Sequence, residues 1–194
     1  MNTEILGIIL MYALVLLFAI PFGAYIGKVF NNDKTSLDRI FNPLDNLFFR
    51  WSGIDVTASM NWKQHLKALL TINGFWFLIC MFVLTNMAWL PLNPDGNPSM
   101  NGDLAFNTAV SFVTNTNLQH YSGESGLSYL GQLILMLWQF ISAATGIAIC
   151  AVVFHAMKEK TTDKLGNFYQ LFVRTNTRIL LPVAFIVALL LVFN

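Results

Sequence analysis

Charged residues are scarce in this chain of 194 residues. Only 11% of its residues are charged, against about 25% in a typical soluble domain, whereas 56% are hydrophobic and 14% aromatic. The shortage of charge excludes an ordinary soluble globule, and the aromatic content excludes a disordered polypeptide. The net charge of +1 leaves no strongly basic face for nucleic acid. We therefore predict an integral membrane protein that has the lipid bilayer, and no nucleic acid, among its partners.

Cysteine and histidine are too few and too scattered to suggest a metal centre. The two cysteines, Cys80 and Cys150, lie in apolar segments, which indicates a packing role. His65, His120 and His155 belong to different segments, so their spacing predicts no zinc site. Motifs for nucleotide binding and for nucleophilic catalysis are also missing from the sequence. We expect no catalytic residue in this chain.

Four apolar segments are candidates to cross a bilayer, which takes about 20 residues per helix. They comprise residues 5–26, 68–90, 127–157 and 179–194. The last segment has about 16 residues and would extend roughly 24 Å at about 1.5 Å per residue, against a hydrocarbon core of about 30 Å. We therefore expect the chain to be a truncated, N-terminal portion of a longer protein.

The basic residues are distributed unevenly, which predicts an orientation. All eleven lysines and arginines lie in residues 28–67 or 158–178, whereas residues 91–126 contain none. By the positive-inside rule, the two basic stretches are cytoplasmic and residues 91–126 lie outside. A short N-terminus that carries Glu4 on the outside completes the alternation.

The outer segment contains a short apolar run of ten residues, 104–113, which is about half of what crossing the membrane needs. Asn101 and Asp103 precede it and are plausible helix N-caps. A half-length apolar run between polar loops is typical of a re-entrant segment, here residues 103–117. An amphipathic helix on the outer surface is the alternative.

The residues after this run favour the re-entrant interpretation. Residues 113–117 read Val-Thr-Asn-Thr-Asn, a dense string of hydroxyl and amide side chains. An extended backbone after a short helix can direct successive carbonyl oxygens at a dehydrated cation, and the C-terminus of the helix adds negative potential. From residue 113 onwards the string contains no carboxylate until Glu124, which favours a monovalent cation over calcium. The carbonyl groups of residues 113–117 are therefore the candidate cation ligands.

Glycine is missing from the central part of this string. Residues 114–117 contain two asparagines, and asparagine tolerates left-handed backbone angles better than most residues. We expect Asn115 or Asn117 to adopt the conformation that glycine would otherwise supply.

Several motifs, in order along the chain, together resemble the KdpA family of bacterial potassium pump subunits. The longest and most specific is NTAVSFVTNTNLQHYSGE at 107–124. The others are MNWKQ (60–64), LPLNP (90–94), ISAATGIAI (141–149), LGN (165–167) and LPVA (181–184).

The resemblance implies an all-α membrane protein with about four transmembrane helices, one re-entrant pore helix and a filter loop, as in the potassium channel superfamily. It implies a K⁺-binding and translocating subunit in the bacterial inner membrane, with K⁺ as the transported ion and no covalently bound cofactor. The implied partners are a KdpB-like P-type ATPase subunit, which hydrolyses ATP, and KdpC-like and KdpF-like accessory subunits.

The resemblance also implies roles for particular residues. The filter strand would comprise Thr114, Asn115, Thr116 and Asn117, after the carbonyl of Val113. Gln119 would lie at the outer mouth, and we expect the rest of the motif around the same mouth: Tyr121, Ser122, Gly123 and Glu124.

The helix after the pore loop carries two further features. Ser142 and Gly146 have the spacing of closely packed helices, although a water-lined surface below the filter is also consistent with them. Gln132 and Gln139 are seven residues apart and therefore share a helix face. The sequence leaves open whether that face serves the pore or packing.

These observations predict five segments. They are an N-terminal helix (1–30), a cytoplasmic loop (31–67), a helix–pore loop–helix repeat (68–157), a second cytoplasmic loop (158–178) and the start of a second repeat (179–194). Two functions other than a pump subunit stay open at this point. A single-repeat chain could form a homo-oligomeric cation channel, or it could be a membrane scaffold that transports nothing.

Overall fold

A computed structural model describes residues 3–158 and 164–193 of the chain. These residues form helices and connecting segments and contain no strand, which confirms the all-α class. The helices are α1 (Thr3–Phe30), α2 (Asp38–Ser52), α3 (Trp62–Thr85), α4 (Gly102–Val113), α5 (Tyr129–Lys158), α6 (Phe168–Arg174) and α7 (Leu181–Val192), with a π-helical turn at Thr175–Leu180 between the last two.

Among the described residues, four helical segments are long and apolar enough to cross a membrane, as the sequence predicts. They are Glu4–Phe30, Trp62–Thr85, Tyr129–Lys158 and Phe168–Val192. The second begins six residues before the apolar run because Asn61 and Gln64 form a capping box that starts the helix in polar sequence. The fourth begins at Phe168 rather than near Ile179, because residues 168–178 are helical although several of them are polar or charged.

The chain divides into two compact units, Met1–Gly53 with Thr177–Asn194, and Ile54–Asn176. In the first unit, α2 is a helix that the sequence analysis leaves within a loop. Its residues Asp38, Asn42 and Asp45 recur at helical spacing on one face. That face meets the guanidinium of Arg178, which is 1% exposed.

Arg178 is the centre of a buried polar network in the first unit. Its Nε donates to Asp38 Oδ1 at 3.1 Å, one Nη donates to Asn42 Oδ1 at 2.5 Å, and the other pairs with the carboxylate of Asp45. The Tyr25 hydroxyl donates to the Arg178 carbonyl at 2.9 Å, which ties α1 to the same point. A charged cluster thus helps to hold this unit together.

In the second unit, α3, α4 and α5 pack against one another. The short helix α4 places small side chains at this contact: Ala105, Thr108, Ala109 and Ser111 are all buried. Small residues let helix backbones approach closely where apolar burial alone gives little driving force. This packing holds α4 between two membrane-length helices and leaves its C-terminal end free to start the next segment.

Candidate functional site

The segment that follows α4 is organised by one buried residue, Ser111. The backbone N–H groups of Thr116 and Asn117 both donate to the Ser111 carbonyl oxygen, at 2.9 and 3.3 Å. The Ser111 hydroxyl accepts from the N–H of Leu118 at 2.7 Å and donates to the Leu118 carbonyl at 3.1 Å. Ser111 therefore closes residues 111–118 into a compact loop by two backbone and two side-chain hydrogen bonds.

These bonds determine where the carbonyl groups of the loop point. The N–H groups of Thr114 and Asn115 bind the carbonyls of Val110 and Phe112, so all five N–H groups from residue 114 to residue 118 turn back towards α4. In a trans peptide the C=O of one residue points opposite to the N–H of the next. The carbonyl oxygens of residues 113–117 consequently face away from Ser111 and the end of α4.

The backbone conformation of the loop alternates in handedness. Asn115 has φ +54° and Asn117 has φ +57°, whereas Thr116 between them is not in the left-handed region. The sequence predicts this conformation for Asn115 or Asn117, and both residues adopt it. The choice of asparagine follows from sterics, because a β-branched residue at positive φ would be strained.

The side chains of the loop lie at the surface of this chain. Thr114, Asn115, Thr116 and Asn117 are all exposed. The hydroxyl oxygens of Thr114 and Thr116 are 2.6 Å apart and share one hydrogen bond. Oxygen atoms of two kinds, carbonyl and hydroxyl, are therefore available along one short stretch of chain.

The residues predicted around the mouth are positioned by amide side chains. Gln119 Nε2 donates to the Tyr121 carbonyl at 2.8 Å, and Gln132 Nε2 donates to the Gly123 carbonyl at 3.2 Å. Partial burial raises the pKa of the Tyr121 hydroxyl. Ser122 and Glu124 are exposed beside them: both are free to contact solvent on this chain's surface.

Gln139 lies about two helical turns beyond Gln132 in α5, and its side chain contacts the loop that follows α4. Its Nε2 donates to Asn117 Oδ1 at 2.6 Å. Gln132 and Gln139, whose purpose the sequence leaves open, thus both hydrogen-bond to the segment that follows α4. Their common face supports the segment that follows α4.

A groove runs beside the start of the loop, between α3 and α5. It is lined by Asn73, Val113, Thr114, Ser142 and Gly146 among others. Ser142 is buried, whereas a side chain at Gly146 would meet open space, so any close packing at Gly146 must involve atoms outside the described residues. Within residues 3–158 and 164–193, the oxygens Asn73 Oδ1 and Ser142 Oγ have no hydrogen-bond partner.

Carboxylate, thiolate and imidazole groups do not cluster in the part of the chain that the structure describes, where no three of them could hold a metal ion. The loop that follows α4 offers neutral oxygen ligands, which are the carbonyl and hydroxyl groups of residues 113–117. Such ligands suit a weakly hydrated monovalent cation.

Two residues important to this site, Ser111 and Gln139, are not identified as such by the sequence analysis. Ser111 is a single hydroxyl within an apolar run, and its burial at the point where the helix ends is the signal that could have singled it out. Gln139 is a polar residue in a membrane helix, which indicates a protein-facing role without naming the partner.

Known proteins are similar to this chain over nearly its whole length. The family model described as "Potassium-transporting ATPase A subunit" matches residues 9–194. A protein named potassium-transporting ATPase potassium-binding subunit from Flavobacterium johnsoniae is 60% identical over 194 residues, which is all of this chain and 34% of that relative. Proteins of the same name from Bacteroides thetaiotaomicron and Caldanaerobacter subterraneus are 51% and 40% identical, over 100% and 95% of this chain.

The chain spans about one third of the length of the curated relatives it matches, since it covers 34% of the Flavobacterium johnsoniae and Bacteroides thetaiotaomicron proteins and 33% of the Caldanaerobacter subterraneus protein.

Proposed function

Because the chain belongs to the KdpA family, the family of potassium-transporting ATPase A subunits, we propose that it forms part of the potassium-binding subunit of an ATP-driven K⁺ uptake complex. Residues 113–117 contribute one strand of the ion filter. The observation that carries this proposal is the direction of the five carbonyl groups, which face away from α4 while their peptide N–H groups bind α4 and Ser111.

The chemistry of the strand is the replacement of water by carbonyl oxygen. A K⁺ ion that enters the filter exchanges part of its hydration shell for the oxygens of residues 113–117. The C-terminal end of α4 lies at the beginning of the strand, and its partial negative charge favours a cation there. Neutral ligands bind K⁺ without retaining it, which transport requires.

One strand cannot surround an ion. A filter of this type needs four strands around an axis, and in this proposal the other three come from further repeats of the longer protein. The exposed face of residues 114–117 is the face that would meet them. Gln119 and Glu124 would then lie at the outer mouth, where a carboxylate raises the local concentration of cations.

The energy for uptake comes, in this proposal, from a partner. A KdpB-like P-type ATPase subunit hydrolyses ATP, and KdpC-like and KdpF-like subunits complete the complex in the bacterial inner membrane. The N-terminus and residues 91–126 face outwards, and the basic stretches 28–67 and 158–178 face the cytoplasm, because lysine and arginine favour that side.

The test uses a complete potassium-transporting ATPase in which this chain replaces the matching third of the potassium-binding subunit. This complex is called the assembled transporter. Asn117→Val should impair the preference for K⁺ over Na⁺ at least about five-fold, because a β-branched residue at positive φ carries a strain of about 1–3 kcal/mol. Selectivity is measured as the ratio of cation concentrations that half-saturate ATP hydrolysis.

Asn32→Val is the matched control. Asn32 also has positive φ, +59°, but lies between α1 and α2, far along the chain from the proposed strand. The control should carry similar backbone strain and leave selectivity unchanged. Unchanged selectivity in the Asn117→Val transporter would contradict the proposed function.

A further inference from the structure

We propose that Gln139 is a positioning residue of the filter: its amide holds the side chain of Asn117, and through it the two left-handed residues of the strand, in the geometry that discriminates between cations. This inference rests on the proposed function of residues 113–117. It gives a specific role to a helix residue 22 positions away from the loop that it contacts.

The geometry is a chain of amide groups. Gln139 Nε2 donates to Asn117 Oδ1 at 2.6 Å, and Asn117 Nδ2 in turn donates to Asn115 Oδ1 at 3.4 Å. The amide of Asn117, in the middle, accepts with its oxygen and donates with its nitrogen, so the first bond orients the second. Hydrogen bonds arranged in series polarise one another, which strengthens the arrangement.

The two residues at the far end of this chain are the ones with positive φ, +54° at Asn115 and +57° at Asn117. Their backbone N–H groups are already bound to Phe112 and Ser111. The bond from Gln139 adds a constraint on the opposite, side-chain part of Asn117. A residue fixed at both its backbone and its side chain cannot rotate its peptide groups without breaking a bond.

Gln139 is suited to this role because it belongs to a rigid element. It lies in the middle of α5, a helix of 30 residues that is buried against α3 and α4 on one side. The preceding residue, Trp138, is fully buried and packs edge-on against Trp76 with ring centroids 5.5 Å apart. Functional groups held by a packed helix are positioned more accurately than those held by a loop.

The bond also has a consequence for the ligands offered to the ion. Because Asn117 Oδ1 accepts from Gln139, this side-chain oxygen is engaged, and the backbone carbonyls remain the oxygens that face away from the protein. Loss of the donor would free the Asn117 amide to rotate and would let a side-chain oxygen or a turned carbonyl contact the ion. Coordination would then adapt to cations of different size, and selectivity would fall.

Two substitutions in the assembled transporter test the proposal. Gln139→Leu removes the donor, and Gln139→Glu keeps the size and shape of the side chain but replaces the donating nitrogen with a carboxylate oxygen, which only accepts and adds a negative charge. Both should lower the K⁺ preference over Na⁺ and over Rb⁺ by about two- to ten-fold, the range expected for one lost hydrogen bond. The concentration of K⁺ that half-saturates ATP hydrolysis should rise, while the maximal rate at saturating K⁺ stays within about two-fold.

A double-mutant cycle separates positioning from general support of α5. Once Asn117 is replaced by Ala, the Gln139→Leu change should have no further effect on the selectivity ratio, since its partner is gone. Additive effects of Gln139→Leu and Asn117→Ala on selectivity would overturn the proposal.

Further outcomes are equally decisive. An assembled Gln139→Glu transporter with unchanged selectivity would overturn the inference, and so would failure of both Gln139 variants to assemble, which would assign the residue to folding. If Asn117→Val alters selectivity and the Gln139 variants do not, only this inference is wrong. If none of the variants alters selectivity, the proposed function is wrong as well.

Discussion

The two units of the molecule differ in the chemical groups that they offer to a positive charge. In the first unit a guanidinium, that of Arg178, is buried among two carboxylates and an amide oxygen. In the second unit, the loop after α4 offers neutral carbonyl oxygens and is positioned by hydrogen bonds between uncharged groups. Carboxylates with a full negative charge suit a cation that is a fixed part of the protein. Neutral dipoles suit a cation that must be bound and then released.

The comparison implies that the two regions differ in what their loss would damage. Removing part of the charged network leaves an uncompensated charge inside the protein, so the fold itself is at risk. Removing part of the neutral loop leaves the helices packed and disturbs the position of a few oxygens. Stability should therefore depend mainly on the first region, and ion preference on the second.

The largest effect is expected at Arg178. Arg178→Met should lower the stability of the assembled transporter by about 3–5 kcal/mol, because it leaves the buried carboxylate of Asp45 without its guanidinium. Thermal unfolding followed by tryptophan fluorescence measures the change. Combining it with Asp38→Asn and Asp45→Asn should recover part of the loss. A change in cation preference without loss of stability would contradict the distinction between the two regions.

A smaller effect is expected at Ser111. Ser111→Ala removes both side-chain bonds to Leu118 and should raise the K⁺ concentration that half-saturates ATP hydrolysis by about ten-fold, since each bond contributes about 0.5–1.5 kcal/mol. Ser99→Ala is the matched control, because the Ser99 hydroxyl accepts one exposed bond, from the Ala88 N–H at 3.1 Å. Equal effects of the two substitutions would show that Ser111 has no specific role in ion binding.

The smallest effect is expected at Glu124, an exposed carboxylate near the predicted mouth. Glu124→Gln should slow K⁺ uptake at low ionic strength by about two- to three-fold and have no effect at high salt, because exposed charges attract ions only over a Debye length. Uptake rates at two salt concentrations measure the effect. A reduction that persists at high salt would indicate direct coordination by Glu124.

The sequence predicts much of the fold because the relevant signals are local. Three apolar runs of membrane length and the shorter run 179–194 identify the four spans, and the half-length run identifies α4. The helix α2 escapes such a criterion because its polar face, Asp38, Asn42 and Asp45, lowers its mean hydropathy, although the spacing of those residues is helical. The partner of that face, Arg178, is more than 130 residues away and could not be inferred from local pattern.

The candidate site likewise has features that the sequence predicts and features that it does not. The string at 113–117 is conspicuous in composition, and the left-handed preference of asparagine predicts positive φ at Asn115 or Asn117, which the structure shows at both. The contacts that position the string involve Ser111 and Gln139, whose types are ordinary for a helix. Which polar helix residue faces a loop depends on packing between helices, and packing is a property of the folded chain.

The closure of residues 111–118 by Ser111 has a consequence for chain length. The hydroxyl binds both the N–H and the carbonyl of Leu118, so the ring between them has a fixed number of atoms. An insertion or deletion between residues 112 and 117 would put the wrong peptide group opposite the hydroxyl. A hydroxyl residue near the end of a short apolar helix should therefore be followed, seven residues later and without gaps, by the residue that it binds. This spacing can be used to look for equivalent loops in the two thirds of the longer relatives that this chain does not cover.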